Sequence, residues 1–233
     1  MRAQLVQRFL LMTPTSRVVD IGSGQGDVAA MLTRAHPQAE VLGVELSAEG
    51  VSIASGKVPS ARFVQRDLLA EAPVPADLAG FGELAVCSEV LEHVDDPSRL
   101  LRNATDYLAP GCRVVITVPG GPMSAFDRHI GHRRHHTAAS LRAIIDRAGL
   151  ETVAVFRAGF PFFNLYRLTV ILRGSSLIDD VSAQSQGKAG STLASLVMRV
   201  FRWLFRFNLT SSPWGWQMVG IARVPRAGPA GTV

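Results

Sequence analysis

The sequence predicts an α/β protein in which a parallel sheet has helices on both faces. Strand-like apolar runs recur along the 233 residues, and helical patterns separate the early runs. A glycine-rich turn joins the first run to the first helix in the stretch VVDIGSGQGDVAAML, residues 18–32. Strands that alternate with helices favour a doubly wound sheet, because a helix usually connects parallel neighbours.

Seven runs have the composition and length of strands. They are residues 17–22, 40–46, 61–67, 83–90, 112–119, 151–158 and 216–224. Apolar residues recur at helical spacing in residues 27–37, 97–111 and 137–150. The last of these helices is expected to begin after the capping residue Thr137 and to end at Gly149. Residues 173–192 are polar and rich in Ser and Gly, which favours a mobile loop.

The chain has the length and composition of a single domain around one sizeable core, since 47% of its residues are hydrophobic. Its predicted parts are a short N-terminal helix (1–16), a ligand-binding core (17–158), an insertion (159–214), the last strand (215–224) and a tail (225–233). Cys87 and Cys112 lie in strand-like runs. This placement favours buried thiols and a reducing, cytoplasmic location.

The charge pattern favours a protein with a basic surface over one that binds nucleic acid. The net charge is +5 and the pI is near 10.0, but the arginines are scattered along the chain. The N-terminus predicts an amphipathic helix rather than a signal peptide, because Gln4, Gln7 and Arg8 interrupt its apolar run. No apolar run approaches the ~18 residues of a membrane span.

Three glycines follow the first strand. Gly22, Gly24 and Gly26 form a G-x-G-x-G pattern, and Asp27 begins the next helix. A dinucleotide-binding turn has a small residue at the position of Asp27, and an acid there would repel a pyrophosphate. Asp20 adds a second negative charge. The turn therefore indicates a ligand that carries positive as well as negative charge, although the same glycines would also suit a tight turn without a ligand.

Acidic residues also end the second and third strands. They are Glu45 in VLGVELS and Asp67 in FVQRDLL. The carboxyl ends of parallel strands meet at one edge of the sheet, where a carboxylate can accept hydrogen bonds from ribose hydroxyls. Asp67 and its neighbour Leu68 can border a purine. Either acid alone would more often be a solvated strand end, but together with the glycine turn they predict a nucleoside-containing ligand.

Four segments, VVDIGSGQG, GVELS, QRDLL and LAVCSEVLEHVDDP, carry a family resemblance. They resemble the class I S-adenosylmethionine-dependent methyltransferases, most closely the type 11, 12 and 23 group that acts on small molecules. The resemblance covers residues 17–158 well and residues 216–224 weakly. It implies a Rossmann-like, seven-stranded sheet that is mostly parallel with its last strand antiparallel, and S-adenosylmethionine as the cofactor. The C-terminal helical insertion, which the family core lacks, is predicted to form a cap.

The resemblance also assigns residues to parts of the cofactor. Asp20 and the glycines match the residues that hold the methionine part, Glu45 matches the ribose-binding acid, and Asp67 matches the acid that bonds the adenine amino group. Ser88 and Glu89 match the segment beside the sulfonium. The predicted cofactor-binding residues are Asp20, Gly22, Gly24, Gly26, Glu45, Leu46, Asp67, Leu68, Ser88 and Glu89.

Two histidines are candidate catalytic residues. Methyl transfer needs a base only if the acceptor loses a proton as it attacks, and histidine titrates near neutrality. His93 lies one turn past Glu89, and His132 lies in PGGPMSAFDRHIGHRRHHT, residues 119–137. His93 would equally suit a helix-turn histidine bonded to its own backbone.

The loop at 119–137 leaves the fifth strand beside the expected cofactor. It resembles the G-H-x-R-R-Y-T pattern of relatives, with His135 in place of an Arg and His136 in place of the Tyr. His129, Arg134 and His136 are predicted to bind a polar or anionic group of the substrate. The histidine spacing could align metal ligands, but the interleaved arginines and the single nearby carboxylate, Asp127, predict that no metal is bound.

The insertion at 159–214 contains an apolar segment, residues 193–207, in which Arg199, Arg202 and Arg206 share one stripe. Its apolar face is wider than that of an ordinary surface helix. Three interpretations stay open. The segment forms a lid over an apolar substrate, the contact of a homodimer, or a helix on a membrane surface with its arginines at the headgroups.

The predicted function is S-adenosylmethionine-dependent methyl transfer to a small molecule, a natural-product, sugar or lipid-like acceptor. Oxygen is the first choice of acceptor atom, followed by nitrogen and carbon. Two alternatives stay open: an enzyme that uses the bound cofactor for a non-methylating reaction such as cyclisation, and a non-catalytic cofactor-binding partner protein.

Overall fold

A single seven-stranded sheet forms the centre of the molecule. The computed structural model describes residues 5, 6, 8, 15–185 and 192–226, and the side chains among them except those of 175–196. The strands are β1 (Arg17–Ile21), β2 (Glu40–Glu45), β3 (Arg62–Gln65), β4 (Gly82–Ser88), β5 (Leu108–Pro119), β6 (Glu151–Ala158) and β7 (Gln217–Arg223). Their order is β3-β2-β1-β4-β5-β7-β6, and β7 is antiparallel to β5 and β6. The predicted fold class is therefore confirmed.

Helices connect most of the successive parallel strands, as the sequence pattern predicts, and two more lie between β6 and the antiparallel β7. The helices are α1 (Asp27–Ala35), α2 (Ala48–Lys57), α3 (Pro97–Ala104), α4 (Ala125–His129), α5 (Ala138–Arg147), α6 (Phe162–Ser185) and α7 (Thr192–Leu204). The helix predicted at 97–111 is too long, because it ends at Ala104 and β5 already begins at Leu108. Helix α5 begins where predicted, because the Thr137 side chain accepts the Ser140 N–H. The chain leaves α5 through Gly149, whose φ of 82° is the left-handed conformation that ends many helices.

The loop predicted at 173–192 is wrong over most of its length. Helix α6 continues to Ser185. Gly174, with φ 48° and ψ −122°, interrupts the helical backbone, but the chain resumes the helix immediately afterwards. The Ser and Gly content was therefore mistaken for the end of a helix. Residues 186–191 lie outside the described residues, as do most of the predicted N-terminal helix and tail.

The sheet places its switch point beside the glycine turn. β2 and β3 follow β1 on one side, whereas β4 and β5 lie on the other, so the strand order reverses between β1 and β4. A crevice opens at the carboxyl ends of the strands at such a point, and ligands bind there. Alternate residues of the central strands pack into two buried clusters, one for each face of the sheet. Cys87 and Cys112 are buried and unpaired in these strands.

Candidate active site

The glycine turn after β1 is held to β2 by its backbone. The N–H groups of Gly22 and Ser23 both donate to the Val44 carbonyl, at 2.8 and 3.2 Å. Gly22 and Gly24 have φ angles of 69° and 52°, which side chains rarely adopt. A Cβ at Gly22 would lie 2.5 Å from Val90, whereas a Cβ at Gly24 would meet only open space. A ligand can therefore approach the backbone closely at Gly24.

The acids at the ends of β2 and β3 border the same opening. Glu45 accepts the Gly24 N–H at 2.8 Å through one oxygen and the Ser47 N–H at 2.9 Å through the other. Asp67 accepts the Leu69 N–H at 2.7 Å and is exposed. A carboxylate oxygen has more than one lone pair, so both acids can accept further hydrogen bonds from a ligand.

Asp20 is an unusual acid at the end of β1. It is 1% exposed, and its Oδ2 atom has no hydrogen-bond partner among the described residues. Burial raises the pKa of its carboxyl to about 7, and the charge of Glu45 adds to this effect, while a hydrogen bond from the Ala29 backbone opposes it. A buried carboxyl that is costly to ionise is stabilised as an anion when a cationic group binds nearby.

Most of the predicted cofactor-binding residues line one cleft of about 300 Å³. Those residues are Gly22, Gly24, Glu45, Leu46, Asp67, Leu68 and Glu89. The other three do not line it. Asp20 is buried, Gly26 is the N-cap of α1, and the Ser88 hydroxyl lies 2.9 Å from that of Thr117. The sequence therefore brings seven of these ten residues to one surface.

The donor set of this cleft fits S-adenosylmethionine. Glu45 and Asp67 present acceptors for hydroxyl and amino groups, and Leu46, which is 63% exposed, offers an apolar surface for a base. The Asp20 carboxyl, whose Oδ2 atom has no hydrogen-bond partner among the described residues, can become a buried anion next to the turn when a cationic group binds. The open space at Gly24 leaves room for a ligand against the backbone.

A second cavity, which we call the acceptor cavity, shares Glu89 and His93 with the cleft. Its volume is about 560 Å³. One part of its wall is apolar: Phe126, Ile130, Phe163, Tyr166, Val170, Met198 and Phe205. Another part is polar: Glu89, His93, Asp127, His132, Arg167, Arg202 and Gln217. The two openings meet at Glu89 and His93, so a molecule in the acceptor cavity can approach a molecule in the cleft.

Glu89 is held rigidly at this boundary. Among the described residues other than glycine it is the one with a positive φ, 58°, and its N–H donates to the Thr117 carbonyl at 2.9 Å. Its Oε1 accepts the Gln217 amide at 2.8 Å, and that amide also donates to Val118. Strained backbone is retained where the surrounding structure fixes it, often at functional sites. Gln217 was not found from the sequence, since nothing there links the start of the last strand to Glu89.

The rings of His93 and His132 are in edge-to-face contact at the acceptor cavity, with centroids 4.8 Å apart. Burial lowers the pKa of His93. Burial lowers the pKa of His132 to about 4, and the neighbouring His93 adds to this effect. Both rings are therefore neutral at neutral pH and each has one nitrogen that can accept a proton.

Hydrogen bonds indicate which nitrogen of His132 accepts. His135 Nδ1 lies 3.1 Å from the Gly121 carbonyl, and because a carbonyl only accepts, this nitrogen carries the proton. His135 Nε2 is then an acceptor, 3.3 Å from His132 Nδ1. His132 accordingly donates from Nδ1 and keeps a lone pair on Nε2. That atom lies 3.9 Å from the buried Glu92 carboxylate.

A buried ion pair links α4 to α6 behind the histidines. The Arg167 guanidinium donates to both oxygens of Asp127, at 2.8 and 2.6 Å. Although burial opposes ionisation, hydrogen bonds from Arg167 and Ser124 hold the pKa of Asp127 well below its usual range. Arg167 was not found from the sequence, where it stands in an otherwise apolar segment, GFPFFNLYRL.

The three residues predicted to bind substrate do not line the acceptor cavity. His129 is exposed on α4. Arg134 donates to the Asp95 carbonyl at 3.3 Å, and it lines a different cavity of about 500 Å³ together with the buried His136. Residues 131–137 do not form a helix, so their side chains point in different directions. Of these seven residues, His132 is the one that lines the acceptor cavity.

Two clusters of side chains in the structure could each hold a metal ion. Within the described part of the chain, Glu92, His93 and His132 form one potential ligand group, and Asp127, His132 and His135 form another. The ligand atoms of each group lie within 4.8 Å of one another. Asp127 is already bonded to Arg167, which disfavours a dication there. The expected absence of a metal stays a prediction.

The doubly wound sheet, its glycine turn and the acids at three successive strand ends define a nucleoside-binding class of protein. The chain belongs to the methyltransferase domain family, whose model matches residues 2–155. The cofactor of this family is S-adenosylmethionine.

Relatives and solved structures agree with the family. The chain is 32% identical over 132 residues to a trans-aconitate 2-methyltransferase of Deinococcus radiodurans, covering 56% of this chain and 46% of that protein. It is 32% identical over 118 residues to a ubiquinone biosynthesis O-methyltransferase of Xylella fastidiosa, covering 48% and 45%. The chain thus spans about half the length of these relatives.

Two solved structures show the same fold. The cyclase SpnF has a TM-score of 0.62 at 17% identity, covering 97% of this chain and 81% of that one. A phosphoethanolamine N-methyltransferase of Haemonchus contortus, solved in complex with S-adenosyl-L-methionine, has a TM-score of 0.59 at 17% identity, covering 96% and 52%.

Proposed function

We propose that this protein binds S-adenosylmethionine in the cleft and transfers its methyl group to a small molecule in the acceptor cavity. The observation that carries the proposal is the junction of the two cavities at Glu89 and His93. When bound, the cofactor supplies an activated methyl group on a cationic sulfonium. Holding the acceptor atom in line with that group can supply roughly 7–11 kcal/mol of the barrier reduction.

Residues of the cleft have separate roles in holding the cofactor. Glu45 accepts hydrogen bonds from the ribose, and Asp67 accepts one from the adenine, whose faces Leu46 and Leu68 cover. Asp20 stabilises the cationic methionine end. Gly24 provides backbone contact without a side chain.

The acceptor is a small amphiphile with an anionic or polar group. The aromatic and aliphatic wall of the acceptor cavity covers its apolar part. Arg202 is the cavity arginine that faces an anionic group, because Arg167 is bonded to Asp127. Relatives named trans-aconitate 2-methyltransferase and ubiquinone biosynthesis O-methyltransferase agree with a small-molecule acceptor.

The acceptor atom is an oxygen, because the histidines of this cavity can serve as a base for a hydroxyl group. A hydroxyl must lose a proton as it attacks, and His93, which borders both cavities, accepts it. His132 orients the acceptor through its Nε2 lone pair. Replacement of His93 by Ala should lower turnover about 10²–10⁴-fold without weakening cofactor binding.

The 119–137 loop and α7 together form a cap over the acceptor. Phe126, Ile130 and His132 from the loop line the cavity opposite Met198 and Arg202 from α7. The Asp127–Arg167 pair ties the loop to α6. A cap of this kind excludes water from the reacting groups.

Calorimetry with S-adenosylmethionine and its demethylated product tests the cofactor assignment. We expect micromolar binding by the wild type and none by Gly24→Val, because the new side chain fills the space at the turn and strains its backbone. Gly56→Val is the matched control, since a Cβ at Gly56 also meets open space but lies on α2. A folded wild type that binds neither ligand would contradict the assignment.

A methyl-labelled cofactor, incubated with hydroxylated aromatic and carboxylic acid acceptors, tests the transfer itself. Labelled product is expected from at least one amphiphilic acceptor. Cofactor binding without a methylated product in any mixture would favour the non-methylating alternatives, cyclisation or a cofactor-binding partner protein.

A further inference from the structure

Helix α7, together with the 3-10 turn that follows it (Phe205–Phe207), carries a second apolar stripe that does not face the protein. Val200, Trp203 and Phe207 recur at i, i+3 and i+7 and are 48%, 54% and 57% exposed. The rings of Trp203 and Phe207 are in contact, with centroids 5.0 Å apart. The opposite side of the helix holds Phe201 and Phe205, each 8% exposed. The packing of α7 on the protein therefore does not account for its outer stripe.

Helix α6 repeats this arrangement. Leu165, Leu168 and Leu172 also recur at i, i+3 and i+7, and are 49%, 41% and 76% exposed. The side that turns to the acceptor cavity holds Tyr166 and Val170 instead. Of the fourteen exposed large hydrophobic residues among the described side chains, ten lie between 165 and 214. We call these two outer stripes, with Leu209 and Trp214, the apolar face.

The charge of this region is mostly positive. Residues 152–233 contain nine Arg and Lys residues but two acids, Asp179 and Asp180. The exposed Arg199 and Arg206 flank the outer stripe of α7. The basic character of the chain is therefore concentrated in its C-terminal third, next to the apolar face. Exposed aromatic residues bordered by arginines are typical of helices that lie in a membrane interface.

We propose that the apolar face docks the protein on the surface of an anionic lipid bilayer. A second copy of the chain fits this face poorly, because pairing it with itself would bring arginines of like charge together. No helix within the described residues is long and apolar enough to cross a membrane. The aromatic side chains enter the headgroup boundary, and the arginines pair with lipid phosphates.

This surface also explains how an amphiphile reaches the acceptor cavity. Met198 and Arg202 are exposed on α7 and also line that cavity. If the proposed function holds, the acceptor is an anionic amphiphile drawn from the bilayer. Lipid binding itself is measured without cofactor or acceptor, so its failure and the failure of methyl transfer are distinguishable.

Vesicle flotation tests the docking. The wild type is mixed with phosphatidylcholine vesicles and with vesicles that also contain phosphatidylglycerol. We expect flotation with the anionic vesicles only, and loss of it in high salt. Arg199→Gln should weaken binding about fivefold, and adding Arg206→Gln should give about a further fivefold loss. The double substitution Trp203→Ala and Phe207→Ala should lower vesicle binding at least about tenfold, because it removes apolar area that would enter the bilayer.

Two variants serve as matched controls. Val153→Ala shortens an apolar side chain on β6 that is 56% exposed, and it is the control for the aromatic substitutions. Arg34→Gln removes an exposed arginine on α1, and it is the control for the arginine substitutions. Both should float like the wild type. Equal flotation of the Trp203/Phe207 variant and the wild type would overturn the proposal. So would a dimer whose dissociation accompanies that double substitution, or binding to RNA in place of vesicles.

Discussion

Asp20 gives the sharpest test of how the cleft holds a cationic cofactor. Its carboxyl is buried, and burial raises its pKa from the ordinary 3.8 to about 7. Ionising it in the folded protein costs about 4 kcal/mol more than in the unfolded chain. If the ammonium and sulfonium groups of the cofactor stabilise the anion, part of that free energy is recovered on binding. Asp20→Asn removes the charge with little change in shape.

The expected signature is a pH dependence of cofactor affinity. Below about pH 7, Asp20 holds a proton in the free protein and releases it when the cofactor binds. The dissociation constant should therefore fall by up to tenfold per pH unit as pH rises, and it should level off above about pH 7. Calorimetry in buffers of different ionisation enthalpy measures the released proton directly. In Asp20→Asn this release should vanish, and affinity above about pH 7 should fall by roughly 1.5–3 kcal/mol.

Stability gives an independent readout with a defined sign. A carboxyl whose pKa is raised on folding stabilises the fold when protonated, and that contribution is lost as pH rises from 3.8 to about 7. His132, whose pKa is lowered to about 4, has the opposite effect over the same range. The quantity to measure is therefore the difference in unfolding free energy between wild type and Asp20→Asn, obtained from urea denaturation at several pH values. As pH rises from 3.8 to about 7, this difference should shift by about 4 kcal/mol in favour of the variant.

Asp27→Asn is the control, because Asp27 adjoins the same turn but is exposed and paired with Lys57. It should leave the proton release unchanged. The reasoning is refuted if wild type and Asp20→Asn show the same pH dependence of affinity. In that case Asp20 stays protonated, or stays ionised, in both states.

Three further outcomes follow from the geometry. Glu45→Ala should weaken cofactor binding by roughly 1.5–3 kcal/mol with the fold intact, and an unchanged dissociation constant by calorimetry would exclude a ribose contact. Arg167→Met should lower the unfolding free energy by about 3–5 kcal/mol because Asp127 is left buried without its partner; adding Asp127→Leu should restore most of it, and urea denaturation that shows no rescue would argue against the pair. Dialysis against EDTA should leave turnover unchanged. A loss of turnover that a divalent ion restores would instead indicate a metal at His132, which belongs to both potential ligand groups.

The fold and the cofactor cleft were largely predictable because their signals are local. A glycine turn after a strand, and acids at the ends of the next two strands, need only the geometry of a parallel sheet to meet at one edge. Glu45 is hydrogen-bonded to Gly24, 21 residues away, and both were found from their own short motifs. The capped start of α5 at Thr137 was predictable for the same reason.

The acceptor cavity was not predictable in this way because distant packing builds it. Gln217 reaches Glu89 across 128 residues, and Arg167 reaches Asp127 across 40. Neither residue has a local pattern that distinguishes it from a surface polar residue. The loop motif around His132 was recognised, but its irregular backbone decides which side chain enters the cavity, so Arg134 and His136 point elsewhere.

The Asp127–Arg167 pair suggests why the C-terminal helices are placed as they are. A buried ion pair seldom contributes net stability, since desolvation of both charges offsets their attraction. Its benefit is therefore geometric. The pair fixes α6 against α4 so that Tyr166 and Val170 face the cavity bordered by His93. The same rotation of α6 turns Leu165, Leu168 and Leu172 outward. The pair thus helps to hold α6 with one side towards the acceptor cavity and the other side outward.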